Sequence, residues 1–310
     1  MSLFSFIEIV GNTLSSMNNP IIELEKTPLK LENKYSLTGY DTIILEHTQI
    51  EEDKDWILLV LGGPHNDSSS SYCQDLIRQL NKDYNIGIAN HRGQHTKFTS
   101  LITTNHFDIE PLHLCVSYLS TRYAKSIYLA GFSLGSHIVT RYLGTNKDIP
   151  NCVKKGISIC NYFDVMVQLS QIQKCVWFEL YVIKRSNDLI DKLKKDLDDD
   201  KITSGIKYIS SIKELFDLDM ELHPDYNRLP IEERYLKYSK NSCINVMNNI
   251  KIPFLVINAK DDPLTPSYFL EQVKNSVSNE NIEFHFTKRG SHLAYPDWFI
   301  SESIKSYIKE

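Results

Sequence analysis

The chain has 310 residues, 42% of them hydrophobic and 24% charged, and a formal net charge of −5 at pH 7. That length admits one large domain or two small ones, and that composition is ordinary for a soluble globular protein. So mild an acidity argues against nucleic acid or an anionic membrane as partner.

Residues 1–22 are polar with few signals and are expected to form a loose or helical arm. Two short alternating stretches, around Leu29–Leu31 and Thr42–Leu45, read as a hairpin or edge strands. From residue 56 the pattern changes. Short apolar runs follow at Ile57–Leu61, Ile86–Ala89, Ile127–Ala130, Gly156–Cys160 and Phe254–Ile257. Each suits a strand buried on both faces. Helical patterns lie between them, including Cys73–Leu80 and Pro111–Tyr123. Alternating β and α segments predict a parallel sheet with helices on both faces.

Residues 163–248 break this rhythm, because ordinary connections are far shorter. The segment begins apolar, from Val176 to Val182, and becomes highly charged from Asp191 to Lys201. We read it as a helical cap over the sheet's carboxyl edge. The charged run lacks the central glycine and closing glutamate of a calcium loop, so it reads as a solvated helix or loop. The expected organisation is an arm over 1–22, a core over 23–162 and 249–310, and a cap over 163–248.

The six cysteines, Cys73, Cys115, Cys152, Cys160, Cys175 and Cys243, are scattered without a CxxC pair and read as reduced, mostly buried thiols, with Cys73, Cys115 and Cys160 as inert core thiols in apolar periodic segments. The first residues lack a basic region and carry Glu8, which argues against a signal peptide. The longest apolar run, Trp56–Leu61, is far short of the roughly 20 residues that span a bilayer. A cytoplasmic protein is therefore expected, with no transmembrane segment and with peripheral membrane contact left open.

The most informative stretch is Gly131-Phe132-Ser133-Leu134-Gly135. It follows the apolar run Ser126–Ala130 and leads into the helical pattern Ser136–Leu143. Strand, G-x-S-x-G and helix together make a nucleophile elbow. The turn is tight, so the positions two away from the serine must be small. Ser133 would stand at the positive end of a helix, where an oxyanion is favoured.

A serine needs a base, and the base an orienting acid. In hydrolases with this elbow the chain order is Ser, Asp or Glu, then His. Asp261 and Asp262 follow the run Phe254–Asn258, and His292 follows the last strand-like run, Ile282–Phe286. All three positions fall at carboxyl ends of strands, the edge where open α/β sheets bind ligands. His91 and His95 have a metal-like i, i+4 spacing but no third ligand nearby, so no metal is expected. Arg92 reads as a tie from its loop to a carboxylate. Trp177, Phe178 and Tyr181 read as packing within the cap, with an acyl-pocket lining as the other reading.

These motifs resemble the α/β-hydrolase superfamily, and more narrowly its YheT-like branch, which includes medium-chain fatty-acid ethyl-ester synthase/esterases and embryogenesis-associated hydrolases. Asn90-His91-Arg92-Gly93 is similar to the branch's N-x-R-G. Gly131–Gly135, continuing through Tyr142-Leu143-Gly144, looks like its G-F-S-L-G and following helix. Phe216-Asp217 and Tyr235–Ser239 resemble its cap, and Asn258–Pro263 its N-A-x-D-D-P. The similarity runs from about residue 25 to the C-terminus.

The resemblance implies the α/β-hydrolase fold, a mostly parallel central sheet with helices on both faces and an inserted helical cap. It implies Ser133 as nucleophile, Asp262 as orienting acid with Asp261 as its rival, and His292 as base. The Leu134 N–H would serve the oxyanion. The second donor would come from the loop Gly62-Gly63-Pro64-His65-Asn66, where the branch usually has His-Gly-Leu or Pro-Gly-Leu. Pro64 falls at the donor position and has no N–H; losing one such donor costs about 10²–10³ in kcat. Either His65 N–H or the Asn66 amide substitutes, or the hole is weak. Gly63, Pro64 and His65 are the candidates.

The function expected is a serine hydrolase of short- to medium-chain fatty-acyl esters, needing no cofactor, with acyl transfer to an alcohol alongside hydrolysis. The other readings are a binding protein on the same scaffold, or a thioesterase or peptidase using the same three residues.

Overall fold

A computed structural model describes residues 20–63, 66–123, 125–222, 228–240 and 242–310. Most of the arm expected over 1–22 lies outside these residues. The described strands form one eight-stranded sheet: β1 Glu25–Glu32, β2 Tyr40–His47, β3 Trp56–Val60, β4 Asn85–Ala89, β5 Ile127–Phe132, β6 Val153–Ile159, β7 Phe254–Ala259 and β8 Ile282–Thr287. Their order is β1-β2-β4-β3-β5-β6-β7-β8. Pairs β1–β2 and β2–β4 are antiparallel, and the pairs from β4 to β8 are parallel.

Strand β3 shows why these runs pair as they do. All five of its residues are buried. Alternation sends Trp56, Leu58 and Val60 to one face of the sheet, with Ile138, Val139 and Leu270. Ile57 and Leu59 go to the other, with Leu76, Ile77 and Ile304. A strand covered on both faces must be apolar at every position, which is how the sequence reads. The outer strand β1 is largely exposed and carries Pro28, tolerated where no further strand pairs.

The chain order gives the sheet its functional edge. From β3 the chain steps to β4 on one side, then returns across β3 to β5 and continues outward to β8. The carboxyl ends of β3 and β5 therefore lie side by side at a topological switch point, where a crevice opens.

Between β6 and β7 lie helices Val165–Gln173, Val176–Leu197, Asp200–Thr203, Ile212–Leu222, Ile231–Lys240 and Ile244–Met247. While Met247 of the last packs on the face with Leu58, the first four bury apolar clusters apart from the two faces of the sheet. One joins Leu169, Ile172, Ile212, Phe216 and Met220 to Tyr162 and Leu264. The other joins Ile190, Leu193 and Leu197 to Phe98. The charged run is less solvated than its composition suggests. Asp196 accepts the Phe98 N–H at 3.0 Å, and Lys192 donates to the Thr96 carbonyl at 2.9 Å. These bonds tie the long helix to the loop after β4.

A ring cluster joins these helices to the sheet. His106 stacks on Phe216 with centroids 5.6 Å apart, and its Nδ1 is hydrogen-bonded to the Tyr162 hydroxyl. Tyr162 stacks on His137 at 4.8 Å. Burial, with the Arg141 charge second, pushes the His106 pKa down to about 3. Its neutral form is thus favoured on folding. That contribution is complete above the ordinary value near 6.5 and is lost as pH falls from there toward 3. Between pH 7 and pH 5 the loss is at most about 2 kcal/mol, since partial exposure of the ring discounts it. His106→Gln is expected to flatten that part of the pH dependence, read from urea midpoints at both pH values. Equal slopes for the two proteins would refute the assignment.

Candidate active site

Ser133 sits between β5 and the helix Leu134–Thr145, with φ 51° and ψ −114°. This left-handed backbone is costly for a residue with a side chain, and bonds around the turn hold it. The Ser133 N–H donates to the Ile159 carbonyl at 2.9 Å, and the Ser133 carbonyl accepts from Ser136 N–H at 3.0 Å and His137 N–H at 3.2 Å. The flanking glycines are sterically required. A Cβ on Gly131 would lie 2.3 Å from the Gly135 carbonyl oxygen, and one on Gly135 would lie 1.9 Å from the Val60 carbonyl oxygen.

His292 lies on the loop after β8 and Asp262 on the turn after β7; both are buried. Ser133 Oγ is 2.8 Å from His292 Nε2, and His292 Nδ1 is 2.9 Å from Asp262 Oδ2. The second Asp262 oxygen accepts the Leu264 N–H at 2.8 Å, which fixes the carboxylate's orientation. Asp261 turns elsewhere: its Oδ1 accepts the Ser291 N–H at 2.8 Å. The structure therefore brings Asp262, and not its neighbour, to the imidazole.

Leu134 is the first residue of its helix, where an N–H has no intrahelical acceptor and points toward the turn. Gly62 runs beside the serine, since a Cβ there would lie 2.8 Å from Ser133 Cβ. Its N–H donates to the Tyr72 hydroxyl at 3.4 Å. Gly63 follows with φ 63°. Pro64 and His65 lie outside the described residues. The loop is tied from below, as His91 donates Nε2–H to the Leu61 carbonyl at 3.0 Å. Burial lowers the His91 pKa and keeps the ring neutral. Its i+4 neighbour turns the other way, His95 lying 3.3 Å from Glu46. Arg92 is fastened to two carboxylates: Nε donates to Asp108 at 2.6 Å, and Nη1 to Asp41.

One expectation needs correction. Trp177 and Tyr181 do not pack inside the helical segment; with Val176 and Leu180 they form an exposed apolar turn. Phe178, on the inner side of that turn, has its ring 6.4 Å from His292. Helical spacing alone could not tell which side of the helix would be covered. Cys160 is the buried core thiol that the sequence implies, and it lies beside the imidazole. One donor atom each from Cys160, Asp262 and His292 lie within 4.8 Å of one another. A cation could use that set only by taking Nδ1 from Asp262 and by ionising a thiol that burial holds well above its ordinary range. Its place just past the carboxyl end of β6 was the signal that could have found it, the rule that picks out Asp261 and Asp262.

No family model matches the chain. It is 27% identical over 286 residues to abhydrolase domain-containing protein 2 of Drosophila melanogaster, covering 87% of this chain and 70% of the relative. It is 24% identical over 294 residues to a monoacylglycerol lipase of Saccharomyces cerevisiae, covering 90% of this chain and 62% of that protein. Among solved structures, an esterase of Pyrococcus furiosus superposes with a TM-score of 0.56 at 17% identity, over 92% of this chain and 89% of that one. The chain thus spans between three-fifths and seven-tenths of the length of these sequence relatives. Sheet order, crossover pattern and solved neighbour together show that the chain has the α/β-hydrolase fold.

Proposed function

We propose that the chain is a serine hydrolase of carboxylic esters, with Ser133 as nucleophile, His292 as general base and Asp262 as orienting acid. The observation that carries the reading is the continuous relay of 2.8 and 2.9 Å from hydroxyl to imidazole to carboxylate. Ser133 Oγ attacks the acyl carbon as His292 Nε2 takes its proton. Asp262, on Nδ1–H, holds the tautomer and stabilises the imidazolium. The oxyanion rests on the Leu134 N–H at the helix N-terminus, and the alcohol leaves with the proton held on Nε2. Water, activated by His292, then releases the acid from the acyl-enzyme. For the second donor we assign the Gly63 N–H, with the Asn66 amide, whose nitrogen would lie 3.8 Å from a Cβ on Gly63, as the rival; the Gly62 N–H is engaged with Tyr72 and Pro64 has none.

We take residues 163–248 as the cap and a fatty-acyl ester of short to medium chain as substrate, with an alcohol able to replace water as acceptor. Three features support this: the resemblance to the YheT-like branch, the lipase name carried by a yeast relative, and the apolar turn around Phe178 beside His292. Among the described residues, no helix is long and apolar enough to cross a membrane.

A fluorophosphonate probe tests the assignment. The unmodified protein should label and should hydrolyse p-nitrophenyl butyrate and octanoate faster than the matching anilides. Ser133→Ala should do neither. Full labelling of Ser133→Ala would end the hypothesis, and faster anilide cleavage would move the substrate class to amides.

A further inference from the structure

We propose that Cys160 is a positioning residue for His292, its thiol clamping the backbone on both sides of the imidazole. The inference rests on the hydrolase reading above. Cys160 is fully buried and sits just past β6. Its Sγ accepts the Leu293 N–H at 3.3 Å and donates to the Ser291 carbonyl at 3.8 Å. One thiol thus bonds the residue before His292 and the residue after it.

The loop needs such a tie. Ser291 and Leu293 have φ of 44° and 63°. Two residues with side chains therefore hold left-handed backbone around the base, a conformation that persists only where surroundings over-determine it. Asp261 holds Ser291 through its N–H, and it is Cys160 that accepts the Leu293 N–H. Burial, then the Asp262 charge, hold the thiol well above its ordinary pKa. It stays S–H, the form that donates and accepts at once. Cys160 is itself pinned, since its N–H donates to the Ile257 carbonyl at 2.9 Å.

Angular precision at the base is what the clamp supplies; misplacement of about 1 Å costs about 100-fold in rate. The test compares Cys160→Gly, Cys160→Ala and Cys160→Ser. Glycine removes the thiol and suits the φ of 53° at this position; alanine removes it with the side-chain backbone preference kept. Both are expected to lower kcat about 10- to 100-fold with KM within a few-fold of wild type. Both should broaden or abolish the low-field proton resonance of the His292 Nδ1–H. Serine keeps a donor and an acceptor and should restore most of kcat and the resonance. Wild-type kcat and an intact resonance in a folded glycine or alanine variant would overturn the clamp. So would a folded serine variant as impaired as alanine. If the unmodified protein neither labels nor turns over, the hydrolase reading fails; the resonance, which needs no turnover, still decides whether Cys160 holds His292.

Discussion

Replacing Asp262 with asparagine is expected to lower kcat for ester hydrolysis by about 10⁴-fold with little change in KM. Asp262 Oδ2 accepts from His292 Nδ1 at 2.9 Å, so Nε2 is left unprotonated toward Ser133 Oγ. An asparagine amide can donate at that position. The imidazole would then carry its proton on Nε2 and could not receive one from the serine. The neighbouring carboxylate provides the control. Asp261 accepts the Ser291 N–H, and an asparagine carbonyl can accept the same bond. Asp261→Asn should therefore retain kcat within about tenfold, the loss of a supporting bond and not of a tautomer. Steady-state kinetics on p-nitrophenyl octanoate decide it. Equal losses, or the larger loss at Asp261, would reverse the assignment of the orienting acid.

The second large effect concerns the backbone of the elbow. A methyl group on Gly135 would lie 1.9 Å from the Val60 carbonyl oxygen and 2.5 Å from its carbon. These are atoms of the central strand β3, which pairs on both sides and cannot withdraw. Gly135→Ala is expected to destabilise the fold by on the order of 3 kcal/mol, the upper part of the overpacking range. The variant should also lose most labelling of Ser133, because relief of the clash moves the helix that bears the Leu134 N–H. Gly205 meets nothing within 4 Å of its would-be Cβ. Gly205→Ala should stay within about 0.5 kcal/mol, as an open surface site does. Denaturant midpoints compare the two. A Gly135→Ala protein as stable as Gly205→Ala would mean that helix and strand are not locked together at the elbow.

Much of the architecture was legible because its signals are local. Five apolar runs have the length and all-apolar pattern of doubly covered strands, and β3, β4, β5, β6 and β7 form at them, with Leu61 and Cys160 each one residue past a strand end. The elbow glycines are dictated by distances within one strand–turn–helix unit, so their need could be read before any contact was known. Asp262 and His292 could be named because each follows a strand at its carboxyl end, although the choice between Asp261 and Asp262 rested on resemblance. Local pattern could not say which side of the helix Val176–Leu197 meets solvent, and the reading of Trp177 and Tyr181 failed there. Cys160 is the buried thiol that its apolar run predicts, but nothing local reveals its bond to Ser291, 131 residues away.

By itself, the sequence determined the alternation of strands and helices, the strained serine turn and the side-chain types available at the carboxyl edge. These follow from periodicity, glycine sterics and functional-group chemistry, all acting over a few residues. Only the tertiary structure decided the strand order that sets β3 beside β5, the rotation that faces Asp262 rather than Asp261 to the imidazole, and the thiol beneath His292. Those depend on register and packing between segments far apart in the chain, where a shift of one residue would point each group to the opposite face.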